Sequence, residues 1–208
     1  MNKIANELLK IKAVFLRPNK PFMWASGIKS PIYTDNRLIM SYPKTRILIE
    51  STLAKLIKQK YPNVKGIVGT ATAGIPHAAY VSQILNIPMA YVRSKPKDHG
   101  RAKVIEGEIQ KNIPIVVIED LLSTGNSCIE VVKILKKNRI KVLGVVSIFN
   151  YGMTSCINNF KQAKCKMYSL CNLDDLLIEA VRQKYITKLQ AEQICKFRNN
   201  PTDSSWMN

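Results

Sequence analysis

The chain has 208 residues, 46% of them apolar, and its 32 Lys+Arg against 14 Asp+Glu give a formal charge of +18. That length sits near the upper end of one ordinary domain, and that apolar share builds a sizeable core without a disulfide or metal staple. Five cysteines (Cys128, Cys156, Cys165, Cys171 and Cys195) form no C-x-x-C pair, and two histidines (His77 and His99) are too few to point to a zinc site, which leaves reduced, mostly buried thiols as the expectation.

In chain order, residues 1–7 carry charge every few positions and no continuous apolar run, which argues against a signal peptide. No apolar stretch anywhere approaches the roughly 18 residues a membrane helix needs, so the expectation is a soluble, cytoplasmic protein with no membrane partner. A short amphipathic helix is predicted on Ile4, Leu8, Leu9 and Ile11, followed by irregular chain punctuated by Pro18, Pro21, Gly27 and Pro31. A helix follows over 42–60, with Pro43 in its first turn and Ile47, Leu48, Leu53, Leu56 and Ile57 as its buried stripe.

From Val64 the rhythm changes to short apolar runs alternating with helices. Strands are predicted at 66–70, 89–92, 114–118 and 142–149, with helices at 75–85 and 127–137. Continuous runs such as Ile115-Val116-Val117-Ile118 suit strands covered on both faces, the mark of a parallel sheet. This order predicts an open, doubly wound α/β fold with its ligand at the carboxyl ends of the strands. Residues 173–197 read as two further helices. No repeat, low-complexity tract or linker divides residues 1–208, which read as a single domain. The lysines are scattered over predicted helix faces such as Lys133, Lys136 and Lys137, so a solvated surface accounts for much of the charge. The remainder suits nucleic acid and small polyanions such as phosphates equally.

Four segments carry candidate chemistry. In the sharpest, a buried strand ends in Glu119 and Asp120, followed by Leu121, Leu122, Ser123, Thr124, Gly125, Asn126 and Ser127 at a helix start. Hydroxyls and free backbone N–H groups at a helix N-terminus favour a phosphate. The acidic pair would repel one, and suits sugar hydroxyls or a cation instead. The two halves together describe a ribose 5-phosphate cradle. No Gly-x-x-x-x-Gly-Lys occurs, so this is not a Walker loop.

The second segment, from Arg93 through Lys95, Lys97, His99 and Arg101 to Gly107, is polar, cationic and too long for a tight turn, which predicts a loop able to close over a ligand. Cationic groups there would stabilise a departing pyrophosphate as it gains charge. The third, Thr70, Ala71, Thr72, Ala73 and Gly74, can bring backbone N–H groups to a second phosphate, although a tight strand-to-helix turn would look the same. His77 just beyond it reads as a packed or surface helix residue. The fourth runs from Trp24 through Lys29 and Tyr33 to Arg37 and has no self-evident chemistry.

The order Val116-Val117-Ile118-Glu119-Asp120 followed by Ser123-Thr124-Gly125-Asn126-Ser127 resembles the signature for phosphoribosyl pyrophosphate (PRPP) of type I phosphoribosyltransferases. The spacing Arg93-x-x-x-Lys97-Asp98-His99-Gly100 resembles the catalytic loop of the bacterial orotate phosphoribosyltransferase family, and 24–37 its base-covering hood. The resemblance implies a type I phosphoribosyltransferase fold, with the hood largely in 1–40, a core of about 42–170 and C-terminal helices at 172–198. It also implies an enzyme that makes orotidine 5′-monophosphate and pyrophosphate from orotate and PRPP in pyrimidine biosynthesis. Lys97 and Asp120 would be catalytic. Arg93, Lys97, His99 and positions 119–127 would bind PRPP, and 70–74 would form the pyrophosphate loop.

Mg²⁺ would arrive on PRPP with no dedicated protein ligand. The chain departs from another branch of that family at Ala25 and Ala73, where that branch has lysine, and at Tyr151, where it has an orotate-binding arginine. Ser123, Lys29 and backbone amides near Ser26 and Gly27 are then the candidates for gripping orotate. The resemblance further implies a homodimer whose catalytic loop crosses the interface, with no nucleic-acid partner. Two alternatives stand beside it: a related transferase acting on a purine or another base, and a PRPP-sensing regulator that binds RNA or DNA. The intact Lys97-Asp98-His99 run argues against the second.

Overall fold

The computed structural model describes residues 2–24, 27–93 and 104–207. Asn2 opens α1 (Lys3–Lys10) by accepting from the N–H groups of Ile4 and Ala5, and α1 buries Ile4, Ala5, Leu8 and Leu9. The stretch read as irregular forms two small antiparallel ribbons. In one, β1 (Val14–Leu16) pairs with β4 (Ile32–Thr34); in the other, β2 (Phe22–Met23) pairs with β3 (Lys29–Ser30). A 3-10 helix (Asn36–Ser41) then leads into α2 (Pro43–Lys60).

The stripe read on α2 is corrected at Ile47, which is 65% exposed, while Ile49, Leu53, Ala54 and Ile57 are buried. At about 100° per residue, Ile47 lies some 200° from Ile49 and faces away from the core.

Beyond α2 come β5 (Gly66–Thr70), α3 (Gly74–Leu85), β6 (Met89–Val92), β7 (Ile105–Gly107), β8 (Pro114–Leu122), α4 (Asn126–Lys137) and β9 (Lys141–Asn150). They are followed by α5 (Thr154–Gln162), β10 (Met167–Asn172), α6 (Leu173–Arg182) and α7 (Lys188–Asn199). Six strands form one sheet in the order β10-β9-β8-β5-β6-β7, parallel except for β7, which runs antiparallel to β6. The expected open parallel α/β sheet is therefore present.

Sequence reading missed β7, α5 and β10. The short β7 is half-polar, and β10 is half-buried along most of its length. Neither shows the continuous apolar run that marks the central strands. Ile115 to Ile118 of β8 are fully buried, flanked by β5 on one side and β9 on the other. Cys128, Cys156 and Cys171 are buried, Cys165 and Cys195 are half-buried, and all five thiols are free. Burial pushes the Cys156 thiol up to about 11, so it stays protonated and unreactive at neutral pH.

Candidate active site

Among the described residues, the turns after β5 and β8 lie side by side at the carboxyl end of the central strands, and the segment at Asn36 bonds to the same place. β8 runs to Leu122, four residues past the predicted bound at 118, so Glu119 and Asp120 lie in its carboxyl-terminal part with Leu121 and Leu122 beyond them. β5 stops pairing with β8 at Gly69–Ile118, so beyond that point β9 is the strand neighbour of β8. Glu119 is buried and accepts a 3.0 Å hydrogen bond from the Asp120 backbone N–H, while the Asp120 side chain is half-buried. Leu122 is packed in the core, so only its backbone is available to a ligand. Its carbonyl accepts from the Tyr151 N–H at 3.0 Å.

Burial, and then the adjacent Asp120 carboxyl, push Glu119 well above the ordinary glutamate value of 4.5. A carboxyl raised in this way favours the folded state while protonated and loses that contribution as pH rises through its folded pKa. Glu119→Gln should therefore gain stability relative to the parent as pH is raised from 4.5 toward the alkaline side. Thermal melts across that range check this, and a stability gap independent of pH would refute the buried-carboxyl assignment.

Ser123 and Thr124 bend away from β8, and Gly125 then starts α4 at φ 76° and ψ 0°. No side chain caps α4, so its first N–H groups and the exposed Thr124, Asn126 and Ser127 face outward together. Asn159 on α5 braces the turn, donating to the Thr124 carbonyl at 3.0 Å and to Asn126 Oδ1 at 2.7 Å. Glycine is required at 125 twice over: the backbone is left-handed, and a Cβ would sit 2.6 Å from Phe160 Cε2 and 3.2 Å from Cys156 Sγ. Gly125→Ala is expected to cost about 2–4 kcal/mol from left-handed strain plus overpacking. Calorimetry should show that as a drop in Tm of roughly 5–15 °C; an unchanged Tm would mean the turn is not held by Phe160.

The 70–74 turn lies beside β8. Thr70 Oγ1 donates to the Ile118 carbonyl at 3.2 Å, and the Ala71–Thr72 peptide is cis. A Cβ on Gly74 would come within 2.6 Å of both the Ile118 carbonyl and Thr70 Oγ1, so its absence lets α3 begin directly against β8. No side chain caps α3 either. Arg93 leaves β6 half-buried, with Nη1 3.6 Å from Glu106 Oε1, and its N–H donates to the Val104 carbonyl at 2.8 Å. Lys97 and His99 lie outside the described residues, as do Ala25 and Ser26. Lys29 is exposed and lines a cleft with Pro201, Thr202 and Asp203. Among the described residues, none of the hydrogen bonds at the end of β8 involves Lys29.

Contacts that sequence reasoning missed tie the N-terminal segment to this place. Asn36 Nδ2 donates to the Asp120 carbonyl at 2.8 Å, and the Tyr151 hydroxyl donates to Thr34 Oγ1 at 3.0 Å. Burial pushes Tyr151 up to about 12, so its hydroxyl keeps its proton at neutral pH. The Trp24 ring packs on Tyr151 and on Phe197, and Phe197 packs on Trp206. His77 is indeed a packed residue: it is fully buried, with Nδ1 2.6 Å from Glu50 Oε1. The segment 24–37 had been singled out, but a bond spanning 84 positions leaves no local pattern to read. Among the described residues, no group of three or more His, Cys, Asp and Glu side chains could hold a metal ion, and no helix is long and apolar enough to cross a membrane.

Comparison with known proteins adds a family to this geometry. Residues 39–175 match the Phosphoribosyl transferase domain. The chain is 49% identical over 199 residues to an orotate phosphoribosyltransferase of Streptococcus thermophilus, covering 96% of this chain and 95% of that one. It is 48% identical over the same length to an orotate phosphoribosyltransferase of Listeria monocytogenes. Among solved structures it resembles orotate phosphoribosyltransferase from Aeropyrum pernix, with a TM-score of 0.74, 27% identity, and coverage of 85% of this chain and 97% of that one. It also resembles UMP synthase of Leishmania donovani, with a TM-score of 0.79 and 26% identity over 94% of this chain and 41% of that one.

Proposed function

The chain belongs to the orotate phosphoribosyltransferase family, and from that premise we propose that the β8 end and its loops convert orotate and PRPP into orotidine 5′-monophosphate and pyrophosphate. The observation that carries the reading is the run from Glu119 and Asp120 into an uncapped α4 N-terminus, with Gly125 holding the turn. In the proposed reaction the bond from ribose C1 to pyrophosphate breaks as the bond to the orotate ring nitrogen forms, and the proton on that nitrogen leaves on the departing pyrophosphate. The N–H groups and hydroxyls of residues 123–127 hold the 5-phosphate. Glu119 and Asp120 accept from the ribose hydroxyls, and the Asp120 charge favours the oxocarbenium-like centre that develops. Arg93, together with Lys97 and His99, neutralises the departing pyrophosphate, and backbone N–H groups of the 70–74 turn, other than that of Ala71, which donates to the Val92 carbonyl at 3.0 Å, face its other oxygens. Ser123, and more weakly Lys29, are the side chains proposed to grip orotate.

Mg²⁺ keeps several waters and is bound largely through substrate phosphates, so it would arrive on PRPP with no dedicated protein ligand, which leaves Asp120 to the ribose. Bound with PRPP, Mg²⁺ would supply charge neutralisation on the pyrophosphate oxygens. We read residues 1–208 as one unit, with the hood from about 1–40 closing over the base. A homodimer that shares its catalytic loop is proposed on the family resemblance. Five free thiols support a cytoplasmic setting. Loss of orotate absorbance with PRPP and Mg²⁺, run beside uracil, adenine and hypoxanthine, tests the reading. Turnover confined to orotate is expected, and turnover of a purine instead would overturn it.

A further inference from the structure

Asn36 is 1% exposed, and its two amide atoms are treated unequally. Nδ2 donates to the Asp120 carbonyl at 2.8 Å, whereas Oδ1 is buried with no hydrogen-bond partner. A half-satisfied buried amide is a poor stabiliser, because the unpaired oxygen keeps its full desolvation cost. The position is better explained by what its donor holds. The Asp120 carbonyl lies past Ile118, where β5 no longer pairs with β8. A strand running on with only one strand neighbour is free to twist, and rotation of the peptide after Asp120 swings that carboxylate.

The turn that presents Asn36 is itself fixed on both sides. Asp35 caps the 3-10 helix by accepting from the Arg37 N–H at 3.2 Å, and the Arg37 guanidinium grips the same carboxylate at 2.6 and 3.0 Å. The Asp35 N–H donates to the Ala13 carbonyl at 2.7 Å. Thr34, two residues before Asn36, accepts from the Tyr151 hydroxyl just past the end of β9. We infer that Asn36 is a positioning residue for the proposed catalytic Asp120: its amide takes the place of the missing strand and sets the peptide plane that aims the carboxylate at the ribose. The hood and the carboxylate are then one mechanical unit. This rests on the proposed role of Asp120.

The test is a double-substitution cycle with Asn36→Leu, which keeps the volume and removes the donor. Alone it should lower kcat by about tenfold, in line with the sensitivity of rate to small misplacement, and leave KM for PRPP within about threefold. In the Asp120→Asn background the same substitution should change kcat by less than about twofold, since nothing remains to be aimed. Tm should stay close to the parent value. Equal losses in both backgrounds, or a loss confined to KM, would overturn the inference while leaving the role of Asp120 intact. Near-parental turnover by Asp120→Asn alone would remove both. If Asn36→Leu does not fold, Asn36→Ala is read by the same criteria.

Discussion

Asp120→Asn is expected to lower kcat by about 10²–10³ with little change in Tm, because removing one charged group aimed at a developing transition-state charge typically costs that much. The substitution keeps the shape of the side chain. It also leaves the backbone carbonyl that Asn36 holds and the N–H that Glu119 accepts from. What it removes is the charge beside the ribose as the C1–O bond opens. It removes as well the neighbour that helps keep Glu119 protonated, so Glu119 should lose its proton at a lower pH in the variant. Glu119 is buried and cannot move far to compensate. Initial rates with saturating orotate and PRPP, set beside thermal melts, measure both sides of the claim. Turnover near the parental rate would withdraw the assignment of the acidic pair.

The core of the sheet was legible because its chemistry is local. Ile115 to Ile118 form an unbroken apolar run, and the change to a Ser/Thr/Gly turn at residues 123–125 marks a strand end and a helix start without reference to anything distant. Glu119 and Asp120 were therefore placed correctly at the carboxyl end of that strand, although the strand itself continues to Leu122. Edge elements were not legible: the three-residue β7 and the half-buried β10 take their structure from neighbours rather than from their own pattern. The α2 stripe failed at Ile47 because apolar residues occur on more than one face of that helix. Glu50 makes the same point from the inside, since a charged residue on the core face becomes intelligible only when His77 is seen 2.6 Å away. Asn36 and Tyr151 lay beyond sequence reading for a related reason. Their bonds join residues 84 and 117 positions apart, and nothing in the local sequence distinguishes an asparagine that supports a strand from one that caps a turn.

Mixing two inactive variants, Lys97→Ala and Asp120→Asn, is expected to restore activity to roughly one quarter of the parental value once subunits have exchanged. β6 and β7 form an antiparallel stem, closed by the bond from Arg93 N–H to the Val104 carbonyl. In the order β8-β5-β6, that stem stands two strands from Asp120, at the edge of the sheet. The family resemblance implies that the residues joining β6 to β7, Lys97 among them, serve the site of a second copy. A symmetric dimer would then hold two composite sites, each taking Lys97 from one chain and Asp120 from the other. Random pairing makes about half of the dimers hybrids, and each hybrid carries one site with both lesions and one with neither. With independent sites, half of half gives the expected quarter. Native mass spectrometry supplies the hybrid fraction, and the orotate assay supplies the rate. A mixture that contains hybrids and remains inactive would mean that the loop serves its own chain, or that closure needs both loops intact, and either result would end the shared-site proposal.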